Sequence, residues 1–266
     1  MTQPSRRDVL RIGLAGAALA FGASSTARAV GEPVLGMIFP PADYPVPPEA
    51  RRLYPSGVTF LAKGIGLEAM TPDSYEKAIP RVIPAADALV REGATAISVM
   101  GTSLTFYKGR AFNEELTARV AKATGLRVTT MSTGIVEGLK AAGARRIAVA
   151  TAYNVEVTGR LKAFLEEYGF EVDVAKGLGY ERIPAGGDII DNTLQQFCAD
   201  VYASARKADT LLISCGGLKT LDLIVPLEAT CRVPVVSSTP HALMNGVRLL
   251  GLSGRVQGFG RVLAKA

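Results

Sequence analysis

The sequence predicts an α/β protein built from two similar halves with mainly parallel sheets, and three observations carry that expectation. Short apolar runs alternate with amphipathic helical patterns, the order that folds as parallel strands covered by helices on both faces. The pattern repeats within the chain at an offset of about 110 residues. One apolar run ends in the turn Ser214-Cys-Gly-Gly-Leu218, at the strand tip where open α/β sheets place their ligands.

The first segment stands apart from the fold. Ser5-Arg6-Arg7-Asp8-Val9-Leu10-Arg11 has the form of a twin-arginine export signal. An apolar run from Ile12 to Ala23 follows, too short for a stable bilayer span, and Ala27-Arg28-Ala29 is a small-x-small cleavage site. The expectation is a leader over residues 1–29 cleaved near Ala29, with the twin-arginine machinery as partner. The mature chain would then be periplasmic and carry no membrane span. The formal charge of +6 falls to +3 once the leader's four arginines and one aspartate are set aside. Charges are otherwise scattered singly, and no basic cluster is interleaved with aromatics, which argues against nucleic acid as a partner. Three cysteines, Cys198, Cys215 and Cys231, are an odd number for an exported chain and leave at least one thiol free.

The strands expected in order are Val34–Phe39, Ala96–Met100, Arg127–Thr130, Arg146–Ala150, Phe170–Val174, Thr210–Ser214 and Val233–Ser237. Helical patterns fall at Asn113–Thr124, Glu137–Ala142, Val155–Tyr168 and Asp191–Lys207. Pro80 and Pro84 interrupt a helix-like stretch over Ser74–Arg91, so that helix should start late or kink. Cys198 falls on the apolar face of a helix and Cys231 in a short turn before a strand, and both read as structural. His241, the single histidine, is expected at a helix start on the surface or rim.

The repeat pairs strand tips. Gly36-Met-Ile-Phe-Pro-Pro41 corresponds to Val149-Ala-Thr-Ala-Tyr-Asn154, and Met100-Gly-Thr-Ser-Leu104 to Ser214-Cys-Gly-Gly-Leu218. Val128-Thr-Thr-Met-Ser-Thr133 and Gly138–Gly143 correspond to Val233–Thr239 and Gly246–Gly251. Two such halves should face each other across a cleft and hold a ligand between them. The assignment is a first domain of residues 30–131 with 239–266 and a second of residues 132–238.

Cys215 is the residue around which chemistry is expected. Two glycines behind it leave backbone N–H groups uncovered, and the start of the next helix should add partial positive charge, so an anion can be held against a thiol. No packing role for Gly216-Gly217 is evident from sequence.

These motifs carry a resemblance. Met100-Gly-Thr-Ser-Leu-Thr-Phe-Tyr-Lys-Gly109, Thr129-Thr-Met-Ser-Thr133, Ala150-Thr-Ala-Tyr153, Ser214-Cys-Gly-Gly-Leu-Lys-Thr-Leu-Asp222 and Pro234-Val-Val-Ser-Ser238 closely resemble the arylmalonate decarboxylases of the aspartate/glutamate racemase superfamily. The likeness runs from about Gly36 to Gly251. It implies two Rossmann-like domains related by a pseudo-two-fold axis, with the active site in the cleft. Racemases of the superfamily use two facing cysteines; here the first position is Gly101 and the second Cys215. One thiol can protonate one face of a carbanion but cannot provide two-sided exchange by itself.

The resemblance implies cofactor-independent loss of CO2 from α-aryl or α-alkenyl malonates through an enediolate, without a metal. Cys215 would be the proton donor. Thr102, Ser103, the Tyr153 hydroxyl and the N–H groups of Cys215 and Gly216 would bind the retained carboxylate. Pro40, Leu67, Met70, Tyr75, Leu104 and Ile183 would surround the departing one with apolar atoms. Met70 and Gly186 depart from the family pattern, which has valine and methionine there, so the pocket shape should differ. The alternatives are a racemase or maleate-type isomerase relative using one thiol, and an exported dicarboxylate-binding protein.

Overall fold

Each half of the chain lays its central strands as continuous apolar runs, as strands covered on both faces require. The computed structural model describes residues 31–184, 187–189 and 191–265, so the expected leader and Gly186 lie outside the described residues. The first half forms β1 (Val34–Phe39), α1 (Pro48–Leu53), β2 (Thr59–Gly64), α2 (Pro72–Ala78), α3 (Val82–Arg91), β3 (Ala96–Val99), α4 (Thr102–Phe106), α5 (Gly109–Thr124), β4 (Arg127–Thr130) and α6 (Met131–Ala142). The second forms β5 (Arg146–Tyr153), α7 (Val155–Glu167), β6 (Glu171–Tyr180), α8 (Leu194–Ala203), β7 (Thr210–Ser214), α9 (Leu221–Cys231), β8 (Val235–Ser237), α10 (Ser238–Leu249) and α11 (Arg261–Lys265).

The two sheets have the same topology. Their strand orders are β2-β1-β3-β4 and β6-β5-β7-β8, and every pairing is parallel. The internal repeat of the sequence is thus a repeat of architecture, with β1 answering β5 and β3 answering β7. The helices that follow the last strand of each sheet are exchanged between them. Helix α10 packs on β3 and β4 of the first sheet, and α6 packs on β7 and β8 of the second, with α6 and α10 against each other. Close approach is possible because α6 carries glycine where they cross. A Cβ at Gly134 would lie 2.7 Å from the Cα of Ala242, and one at Gly138 would lie 2.9 Å from the His241 ring.

Several elements differ from expectation. Strand β2 was not expected; it is an edge strand whose Thr-Phe-Leu-Ala-Lys-Gly sequence is half-buried and lacks a clean apolar face. Strand β6 begins at Glu171 rather than Phe170 and runs on to Tyr180, with two register shifts against β5. Helix α5 begins at Gly109 and α6 at Met131, directly after β4, where Thr130 caps it by accepting from Thr133 N at 3.0 Å. Helix α8 is shorter than its pattern because Asp191 caps the preceding turn, accepting from Thr193 N at 2.8 Å. The two prolines do break the long stretch: α2 ends at Ala78, a 3-10 turn covers Ile79–Arg81, and α3 follows. Cys231 ends helix α9 instead of lying in a turn. His241 lies inside α10 with no exposed surface, not at the rim. Among the described residues, no helix is long and apolar enough to cross a membrane.

Candidate active site

The C-terminal tips of β1, β3, β5 and β7 converge on one chamber. Its lining includes Pro40 after β1, Gly101, Thr102 and Ser103 after β3, Tyr153 at the end of β5, and Cys215, Gly216 and Gly217 after β7. Leu67 and Met70 from the first half and Ile183 from the second complete the apolar side. Backbone bonds tie those two segments together, Met70 N to Glu181 O at 2.7 Å and Ile183 N to Glu68 O at 3.2 Å. Of the expected apolar residues, Tyr75 and Leu104 sit directly behind the chamber's surface. Tyr75 is fully buried, with its ring 4.9 Å from that of Tyr107 and its hydroxyl beside Ser103 and near Cys215, and Leu104 packs under Gly101.

Cys215 is 7% exposed and carries a free thiol. Burial pushes the thiol above its ordinary pKa, and the N–H groups of Gly217 and Leu218 and the Tyr153 hydroxyl offset part of that rise. The thiol is therefore protonated at neutral pH. The expected helix start does not contribute, since α9 begins at Leu221, beyond a turn in which Leu218 N bonds Cys215 O at 3.2 Å. The two glycines also have a packing role that sequence did not reveal. A Cβ at Gly216 would lie 3.1 Å from Met131 Sδ, and one at Gly217 would lie 2.8 Å from the Gly187 carbonyl.

Opposite Cys215 in the repeat, Gly101 has little room for a side chain. A Cβ there would lie 2.9 Å from Pro40 Cγ and 3.0 Å from Leu104 Cβ. The Tyr153 hydroxyl is buried without a hydrogen-bond partner among the described residues, although Ser214, Thr102 and Cys215 face it. Burial, with the nearby Cys215 thiol, holds it well above the ordinary tyrosine range, so it is a donor awaiting an acceptor.

Ser238, at the start of α10, is a site residue whose role is not evident from its sequence motif. Its Oγ lies 3.2 Å from the Thr102 hydroxyl and accepts from Cys215 N at 3.2 Å. The Thr102 hydroxyl also lies 2.8 Å from Met131 Sδ. Two of the donors expected for a carboxylate, Thr102 from the first half and Cys215 from the second, thus converge on one serine at the start of α10. Behind them, Thr105 bonds Gly101 O at 2.9 Å and Ser132 Oγ at 2.6 Å, and Ser132 bonds Thr102 O at 3.0 Å, fixing α4 against α6. Phe39, Pro41, Tyr44, Gly187 and Ile189 line the chamber as well and were not foreseen. Among the described lining residues none is charged, so an anion held here meets only neutral donors and apolar atoms.

A thiol and neutral donors at the tips of two repeated sheets agree with one family in particular. A family model described as arylmalonate decarboxylase matches residues 35–263. The chain belongs to the arylmalonate decarboxylase family. It is 44% identical over 231 residues to arylmalonate decarboxylase of Bordetella bronchiseptica, covering 86% of this chain and 96% of that protein. A crystal structure of a double mutant of arylmalonate decarboxylase in its liganded form superposes with a TM-score of 0.83 at 42% identity, covering 88% of this chain and 100% of the other. Maleate isomerase from Pseudomonas putida S16 shares the fold at a TM-score of 0.78 and 20% identity, covering 88% and 98% of the two chains. Membership of the arylmalonate decarboxylase family makes the protein a carboxy-lyase and sets aside the binding-protein alternative.

Proposed function

We propose that the protein decarboxylates α-aryl or α-alkenyl malonates to monocarboxylic acids through an enediolate, with Cys215 as the proton donor. The observation that carries this reading is a single buried, protonated thiol in a chamber of neutral donors, with Gly101 in the facing position. One carboxylate of the substrate takes the hydrogen bonds of Thr102, Ser103, Tyr153 and the N–H groups of Cys215 and Gly216. For Thr102 and Cys215 the incoming carboxylate replaces Ser238 as acceptor. The other carboxylate lies against Pro40, Leu67, Met70 and Ile183, where its charge is poorly solvated.

As the C–C bond breaks, its electron pair passes to the α-carbon and into the retained carboxylate, and CO2 leaves. The donors face the oxygens on which charge builds, the oxyanion-hole arrangement. The Sγ–H proton then goes to the α-carbon, and the thiolate is reprotonated from water. The family match and the chemistry of the donor set support this sequence of steps. The test is CO2 release from phenylmalonate by wild type and Cys215→Ala. Loss of about 10²- to 10⁴-fold in kcat is expected for removal of a general acid, and retention of near-wild-type turnover would remove Cys215 from the mechanism.

The leader motif supports export of the folded chain by the twin-arginine route. The check is cell fractionation with N-terminal sequencing: a periplasmic protein beginning near Val30, retained inside when Arg6 and Arg7 are replaced by lysine, is the expected result.

A further inference from the structure

The chamber is small for the reaction proposed. Its free volume is about 40 Å³, whereas a cavity of about 150 Å³ is what accommodates a benzene ring. An open vestibule of about 480 Å³ adjoins it and shares Pro41, Leu67 and Ile183 with its lining. The approach is therefore open, and the constraint lies in the inner wall.

Tyr44, from the loop between β1 and α1, forms part of that wall. Its ring lies 4.7 Å from that of Phe39 and packs flush against Gly187, where a Cβ would come within 2.6 Å of Tyr44 Cδ2. Its hydroxyl donates to Asp188 Oδ1 at 2.6 Å. Lys219 Nζ stands 2.9 Å from the same oxygen and donates to the Tyr44 hydroxyl at 3.3 Å. Glu49 Oε2, buried and without a hydrogen bond, lies 3.9 Å from the ammonium. Burial and the Asp188 carboxylate keep the phenol protonated, so it remains a donor. Three separate segments meet here: the loop before α1, the residues after β6 and the turn before α9. A lone surface ion pair contributes little, but a short bond from a buried phenol to a carboxylate is of the stronger, charge-assisted kind.

We propose that Tyr44 sets the size of the substituent the chamber accepts, and that Asp188 and Lys219 clamp Tyr44 in the position that keeps the chamber narrow. Release of the clamp enlarges the space beside Cys215. Tyr44 is a specificity-determining residue and Asp188 and Lys219 are positioning residues; none of them touches the reacting atoms. The inference rests on the chamber being the substrate site of the proposed decarboxylation.

Two measurements test it, on wild type, Tyr44→Phe, Asp188→Asn and Tyr44→Ala. The first needs no turnover: Cys215 is alkylated with iodoacetamide and with a bulky N-arylmaleimide, and both rates are read by mass spectrometry of its peptide. The ratio of bulky to small cancels any change in thiolate fraction. That ratio should rise about tenfold in the near-isosteric Tyr44→Phe and Asp188→Asn, the factor one such hydrogen bond carries, and further in Tyr44→Ala. The second is kcat/KM for 2-naphthylmalonate relative to phenylmalonate, which should rise in the same order, chiefly through KM for the larger substrate. An alkylation ratio unchanged in all three variants overturns the clamp, whatever the turnover. A raised ratio in a protein that decarboxylates neither malonate supports the clamp and overturns the decarboxylase reading instead.

Discussion

Cys215 does its proposed work only while it holds a proton, and its surroundings favour that form. Burial raises the thiol pKa and only part of the rise is returned by the neighbouring N–H groups and Tyr153. Since the protonated form is the active one, a raised pKa moves the alkaline loss of activity upward. The kcat profile should therefore stay level through about pH 8.5, where an ordinary thiol ionises, and fall only beyond it; a fall centred at or below that value would contradict the environment described. His241 presents the opposite case. It is fully buried, Nδ1 lies 3.0 Å from Ser237 N and 2.9 Å from Ser237 O, and burial lowers its pKa to about 4. The unfolded chain then binds a proton that the folded one refuses between that value and the ordinary histidine pKa near 6.5. Stability is complete above the unfolded pKa and is lost as pH falls through this window. Urea unfolding at about pH 7.5 and about pH 5 should differ by roughly 2 kcal/mol from this residue alone, and the difference should shrink by that amount in His241→Gln.

Helices α6 and α7 each contain a glycine that intrinsic propensity disfavours, and their surroundings decide opposite outcomes for replacing it. In α7, Gly159 is exposed and a Cβ would meet nothing within 4 Å, so Gly159→Ala should stabilise by about 0.5–1 kcal/mol through helix propensity. In α6, the Cβ of Gly134→Ala would fall 2.7 Å from the Ala242 Cα of α10, backbone that has no rotamer with which to yield. Overpacking costs about 1–3 kcal/mol and outweighs the propensity gain, so thermal unfolding of the two variants should shift in opposite directions. The same glycines explain why the start of α6 was illegible in sequence. Gly134 and Gly138 weaken the helical pattern there, yet they are present because two helices cross at that point. Strand β2 escaped notice for a different reason, since an edge strand needs no continuous apolar run. Elements covered on both faces, such as β3 and β7, were legible because full burial makes them predominantly apolar runs, with only small hydroxyl residues such as Ser98, Thr210 and Ser214 among them.

At the level of the whole molecule, the repeat was legible because its halves keep similar turns at the same strand tips, and it aligned Gly101 with Cys215, which its own strand-tip turn had already singled out. Tyr44, Asp188 and Ser238 were not legible, because each acquires its role only when distant segments meet. The exchanged helices add a consequence for stability. Helix α10 follows the second sheet but buries Leu243, Met244 and Val247 and seats Gly246 against Leu35 of β1, while α6 follows the first sheet and packs on β7 and β8. Neither sheet can shed its own half of the chain without uncovering apolar surface on both. The Arg52–Asp222 pair, which also joins the halves, is exposed and contributes about 0–1 kcal/mol at most, so the coupling resides in the helices. The two sheets should therefore unfold as one unit. In a urea series, labelling of the buried Cys198 and Cys231 reports the second half, hydrogen exchange in β3 reports the first, and far-UV circular dichroism reports both. Coincident midpoints are the expected outcome; thiol labelling that precedes loss of β3 protection would mean that the second half opens alone and that the α6–α10 exchange does not couple them.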